Sequence, residues 1–109
     1  MAIPVDNDNF VRAETNRMFA GIQNGAGGIN QWDHLRAPTA LDEQTVIRMN
    51  RDTLYSMIVV DISQGATLTV PDAGDRYLSV MVINQDHYIN RIFTEAGTYD
   101  LTVEEFETP

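Results

Sequence analysis

The groups best suited to chemistry gather in two short polar knots, Asn50-Arg51-Asp52 and Asn84-Gln85-Asp86-His87. Each interrupts an apolar, strand-like run, and a tyrosine follows each, Tyr55 after the first and Tyr88 after the second. An imidazole beside a carboxylate and a phenol supports acid–base chemistry when its pKa is tuned to the task. An arginine offers a planar fork of donors to an anionic ligand. Arg51, Asp52, Tyr55, Asp86, His87 and Tyr88 are therefore the candidate residues for a small polar cleft. The competing account is structural. Arg51-Asp52 and Asp75-Arg76 each set opposite charges side by side at a strand entry, and neighbours along a strand face opposite ways. Each charge then reaches a partner elsewhere, in an ion-pair network that holds loops in place.

Other chemistries find less support. A nucleophile-elbow esterase needs Gly-x-Ser-x-Gly, and none of Ser56, Ser63 and Ser79 has the two flanking glycines. A Ser56–His87–Asp86 arrangement stays open, because triads are defined by geometry rather than by order. A metal would have to use His34 and His87 with Asp33, Asp52 or Asp86, yet neither His-x-His nor His-Glu-x-x-His spacing occurs. Gly25-Ala26-Gly27-Gly28 follows no strand and precedes no Gly-Lys-Ser/Thr, so it is no phosphate loop, and no cofactor is expected. Tyr55, Tyr77, Tyr88 and Tyr99 all lie in strand patterns, where they pack with their hydroxyls at a sheet edge or stack on a sugar or base.

Composition narrows the partners. The chain has 109 residues and a net charge of -9, and all of its basic residues are arginine. That acidity opposes binding to nucleic acid or to anionic membrane. With no cysteine, disulfides and thiolate chemistry are excluded. No apolar run approaches the ~18 residues of a membrane span, and the N-terminus lacks the basic and apolar regions of a signal peptide. The expectation is a soluble cytoplasmic protein of one domain spanning 1–109.

The elements that must position these groups follow from periodicity. Val11, Met18 and Ile22 recur at helical spacing behind Asp6-Asn7-Asp8, which predicts a helix over 9–23 that stops at the glycines. Residues 30–43 read as irregular, with Trp32 a core plug or an oligomer anchor. Strands are expected between about 45 and 103. Thr45–Met49 is a short β-branched run. Thr53–Val60 and Tyr77–Ile83 are apolar on both faces and read as central strands. Ala66–Val70 and Thr98–Val103 alternate, so one face of each is wet, and Tyr88–Phe93 is a further strand. The last residues, EEFETP, read as an acidic tail. One helix followed by short strands predicts a mainly β, antiparallel sandwich.

Several of these stretches are familiar together. VIRMNRDTLYS, LTVPDAGDRYLSVMVINQDHY and AGTYDLTVEEF closely resemble the family called domain of unknown function 1254, and FVRAETNRMFAGI and HLRAPT match its beginning. The resemblance implies a β-sandwich of jelly-roll type and oligomer formation. In that family a further apolar strand, and then a domain of unknown function numbered 1214, normally follow. This chain looks like a short form of the front part. Some members carry an esterase label, whose residues are not found here.

The functional expectation is a non-catalytic assembly module that forms a homo-oligomer, because its apolar strand surface exceeds what one copy can cover. The alternative is an esterase-like hydrolase, or a module binding a small anionic ligand, with its site near Arg51, Asp52 and His87.

Overall fold

A computed structural model describes residues 3–38, 40, 42 and 53–109. The first element, α1 (Phe10–Ala26), is prepared by a side-chain turn before it. The Asp6 carboxylate accepts from the N–H groups of Asp8 and Asn9, and Asn9 Oδ1 accepts from Asp6 N–H. The helix runs three residues past its expected end. Gly25 lies within the helix and lets Asp33 approach its bare Cα, where a Cβ would come 3.2 Å from the carboxylate. The helix stops at Gly27, whose φ of 93° is costly for any residue with a Cβ. Only Thr15 is buried along α1, while Phe10, Val11 and Met18 stay about half exposed.

The strands form three two-stranded antiparallel ladders among the described residues, and no closed barrel. β1 (Asp33–His34) pairs with β2 (Ser56–Met57). β3 (Ala66–Val70) pairs with β6 (Gly97–Leu101), Ala66 opposite Leu101. β4 (Val80–Ile83) pairs with β5 (Ile89–Phe93), Val80 opposite Phe93. A short helix, α2 (Val103–Phe106), closes the order. Its first turn is capped by Thr102, whose hydroxyl accepts from Glu105 N–H.

The inward faces of β3–β6 and β4–β5 share one core with α2. Val70, Phe93, Leu101, Ile62 and Phe106 are its buried members. The predicted alternation of β3 and β6 is what supplies it: Leu68, Val70, Tyr99 and Leu101 point in, and Thr67, Thr69, Thr98 and Asp100 point out. Phe93 and Tyr99 meet at a ring-centroid distance of 4.3 Å, and the Arg91 guanidinium lies 4.6 Å over the Phe93 ring. A bulge at Val82/Ile83 leaves Asn90 without a cross-strand partner. Its amide instead donates to the carbonyl of Glu105 on α2.

Four expectations are corrected. Thr53–Val60 is strand only at Ser56–Met57, and Leu54 and Tyr55 are exposed rather than enclosed. Its partner β1 lies in the stretch expected to be irregular, where Trp32 is 46% exposed and not a core plug. Tyr77 is 79% exposed, the regular strand begins only at Val80, and Met81 within it is half exposed, so the run is not enclosed on both faces. The acidic tail is in part α2, and Phe106 is 2% exposed, because an aromatic among acidic residues gains more from the core than they lose by lining its rim. The expected strand at Thr45–Met49 lies outside the described residues.

Candidate functional site

The second polar knot is the tip of the β4–β5 hairpin, and Asn84 organises it. Asn84 is 4% exposed. Its Oδ1 accepts from the N–H groups of Asp86 and Tyr88, each at 3.0 Å. Its Nδ2 donates to the Phe106 carbonyl at 2.9 Å. The backbone closes the same turn, with Asn84 N–H donating to Tyr88 O and His87 N–H to Asn84 O. His87 takes a φ of 67°, a left-handed conformation that the turn demands of a non-glycine residue.

This tip carries Asp86 and His87 onto α1. Asp86 accepts from Arg12 at 2.9 Å and 2.6 Å, from Nε and one terminal nitrogen. His87 Nδ1 lies 3.2 Å from the hydroxyl of Thr15, the one buried residue of the helix. Each group of the predicted acid–base pair thus faces a different helix partner. Tyr88 is 65% exposed beside them, and Tyr55 lies just before β2. Arg51 and Asp52 lie outside the described residues.

Ser56 does not join His87 and Asp86. It faces His34 across the β1–β2 ladder, with Ser56 Oγ 2.6 Å from His34 Nδ1. Trp32 stacks on that imidazole, ring centroids 5.5 Å apart and planes within 9°. Among the described residues no three His, Cys, Asp or Glu side chains converge as a metal would need. His34 and His87, the two candidate metal ligands, are each hydrogen-bonded to a hydroxyl.

A cleft of about 450 Å³ opens between α1 and the core, bounded by Phe19, Val60, Asp61, Asn84 and Phe106 among others. Asp61 at its edge is held below the ordinary carboxylate range, first by the Ser63 backbone N–H and then by the Ser63 side chain. On the outer side of α1, the Arg17 hydrogen bond holds the Glu14 carboxyl low in the same way.

A family model described as Protein of unknown function (DUF1254) matches residues 29–103. The chain belongs to this DUF1254 family. Neither the curated proteins nor the solved structures compared with it gave a match. The span matched to DUF1254 contains the hairpin tip and the His34–Ser56 pair, while Arg12 and Thr15 on α1 precede it. Contacts from Asp86 and His87 therefore tie the family's matched span to the helix in front of it.

Sequence reasoning selected Asp86 and His87 and missed the groups that fix them. Asn84 was legible only as a turn residue, since nothing local signals that its amide reaches a carbonyl 22 residues away. Of the expected network, Arg51 and Asp52 lie outside the described residues, and the ion pairs seen among those residues involve other groups than Asp75 and Arg76. They are Arg12–Asp86, Arg17–Glu14 and Arg91–Glu105, while Asp75 and Arg76 form none among the described residues.

Proposed function

We propose that this DUF1254 domain is a structural assembly module that forms a homo-oligomer. The observation that carries the reading is the outer face of the β4–β5 ladder. Met81 and Ile92 stand opposite each other there, 52% and 58% exposed, and Ile89 at 52% and Tyr88 at 65% flank them. A paired apolar row on a sheet surface gains by burial, at roughly 25 cal/mol per Å² removed from water.

A second copy is the favoured occupant. These side chains carry no charge, so two copies can meet face to face about a two-fold axis although each carries a net charge of -9. Among the described residues each ladder has only two strands, and an unpaired strand edge pairs readily with another chain. A stable interface removes about 800 Å² per partner. In the assembly, packing of ladder on ladder completes an antiparallel sandwich of jelly-roll type. On this reading Asp86 and His87 anchor α1, and they are not used in turnover.

The test is solution mass by size exclusion with light scattering, for the chain and for Met81→Glu/Ile92→Glu. The chain should run as an oligomer, and the double variant as a monomer with unchanged far-UV circular dichroism. A folded wild-type monomer at tens of micromolar would overturn the proposal.

A further inference from the structure

Ser56 and His34 form a hydroxyl–imidazole pair that assembly through β4–β5 does not use. They are direct neighbours across the β1–β2 ladder, and their 2.6 Å contact is short for a hydrogen bond. With the imidazole proton on Nε2, Nδ1 accepts from the serine hydroxyl, which is the arrangement a general base needs. The Trp32 ring holds the imidazole plane. Both groups border an open cleft of about 480 Å³, together with Leu35, Arg36 and Leu54. Arg36 lines this cleft and makes no ion pair with any described residue.

We propose that this cleft is a nucleophilic acyl-transfer site for small activated esters. Ser56 is the nucleophile, His34 its general base, and Arg36 the cation that offsets negative charge on the acyl oxygen. In the first step Ser56 Oγ bonds to the ester carbonyl carbon as its proton passes to His34 Nδ1. The tetrahedral oxyanion then collapses, the carbon–alkoxide bond breaks, and the alkoxide leaves as the alcohol with the proton from His34. Water, deprotonated in turn by His34, attacks the Ser56 ester and releases the carboxylic acid and the free hydroxyl.

A hydrogen bond that merely pins a two-residue ladder would confer no reactivity, so reactivity is what separates the readings. The purified chain is treated with a fluorophosphonate probe, on which Ser56 Oγ would form the oxygen–phosphorus bond as fluoride leaves. Intact mass and peptide mapping should find one adduct, on Ser56. Ser56→Ala should take no label, His34→Ala should label about 100-fold more slowly or less, and Ser63→Ala should label at the wild-type rate. Arg36→Gln should raise KM for 4-nitrophenyl acetate or lower its kcat. Absence of label on the folded chain, an adduct elsewhere, or an unchanged rate in His34→Ala would overturn the proposal. Mapping on the wild-type chain decides the site even if Ser56→Ala fails to fold.

Discussion

Replacing Asn84 by alanine should be among the most damaging single changes in the chain. The side chain is almost fully buried and makes three hydrogen bonds, two accepted from the hairpin tip and one donated to Phe106 O. Each is worth about 1 kcal/mol net, and a group left buried without a partner costs about 1–3 kcal/mol more. The tip N–H groups are part-buried and recover some hydration, whereas the Phe106 carbonyl sits beside a 2%-exposed ring. The total is about 3–5 kcal/mol, against a stability of about 5–15 kcal/mol for an ordinary domain. At roughly 4–8 °C per kcal/mol for this size, Tm should fall by about 12–40 °C. Thermal unfolding followed by circular dichroism measures this, with urea titration giving the free energy. A companion variant, Asn84→Asp, keeps an oxygen to accept from the tip N–H groups and removes only the donor to Phe106 O. A loss below about 1 kcal/mol in Asn84→Ala would refute the view that this amide holds the hairpin to α2.

Further outcomes follow from the same contacts. Phe106→Ala should cost about 3–5 kcal/mol in urea unfolding, because it empties the core position that α2 fills. Arg12→Ala should cost only about 0.5–1 kcal/mol, since both partners of the Arg12–Asp86 pair are nearly half exposed and screened, and 0.5 M salt should erase most of that difference. Thr15→Val, which keeps the shape and removes the hydroxyl facing His87, should cost about 1 kcal/mol and increase amide exchange in the hairpin tip. The Glu14 carboxyl should titrate below the ordinary glutamate value by NMR and return toward it in Arg17→Met. Because its folded pKa is depressed, whatever it adds to stability is present above the unfolded value and lost as pH falls through the folded one.

The sequence by itself determined the local features. The alternation over Ala66–Val70 and Thr98–Leu101 told which residues enter the core, because a strand's two faces repeat every second residue, while Val103, expected to continue the strand, opens α2. The same logic placed the N-terminal helix, to within its last turn, and marked Asn84–His87 as a turn between strands. The two-sided apolar runs were misread as enclosed strands. Burial on both faces requires a second layer, and periodicity records only that the side chains are apolar. Tertiary structure decided who meets whom. Arg12 and Asp86 are 74 residues apart, Thr15 and His87 are 72 apart, and His34 and Ser56 are 22 apart. No local pattern links such pairs, since their approach depends on ladder register and on the packing of α1 against a hairpin tip. For the same reason Asp86 and His87 were recognisable as reactive types, while their engagement with the helix was not. The proposed nucleophile and base, in turn, became neighbours only when β1 paired with β2.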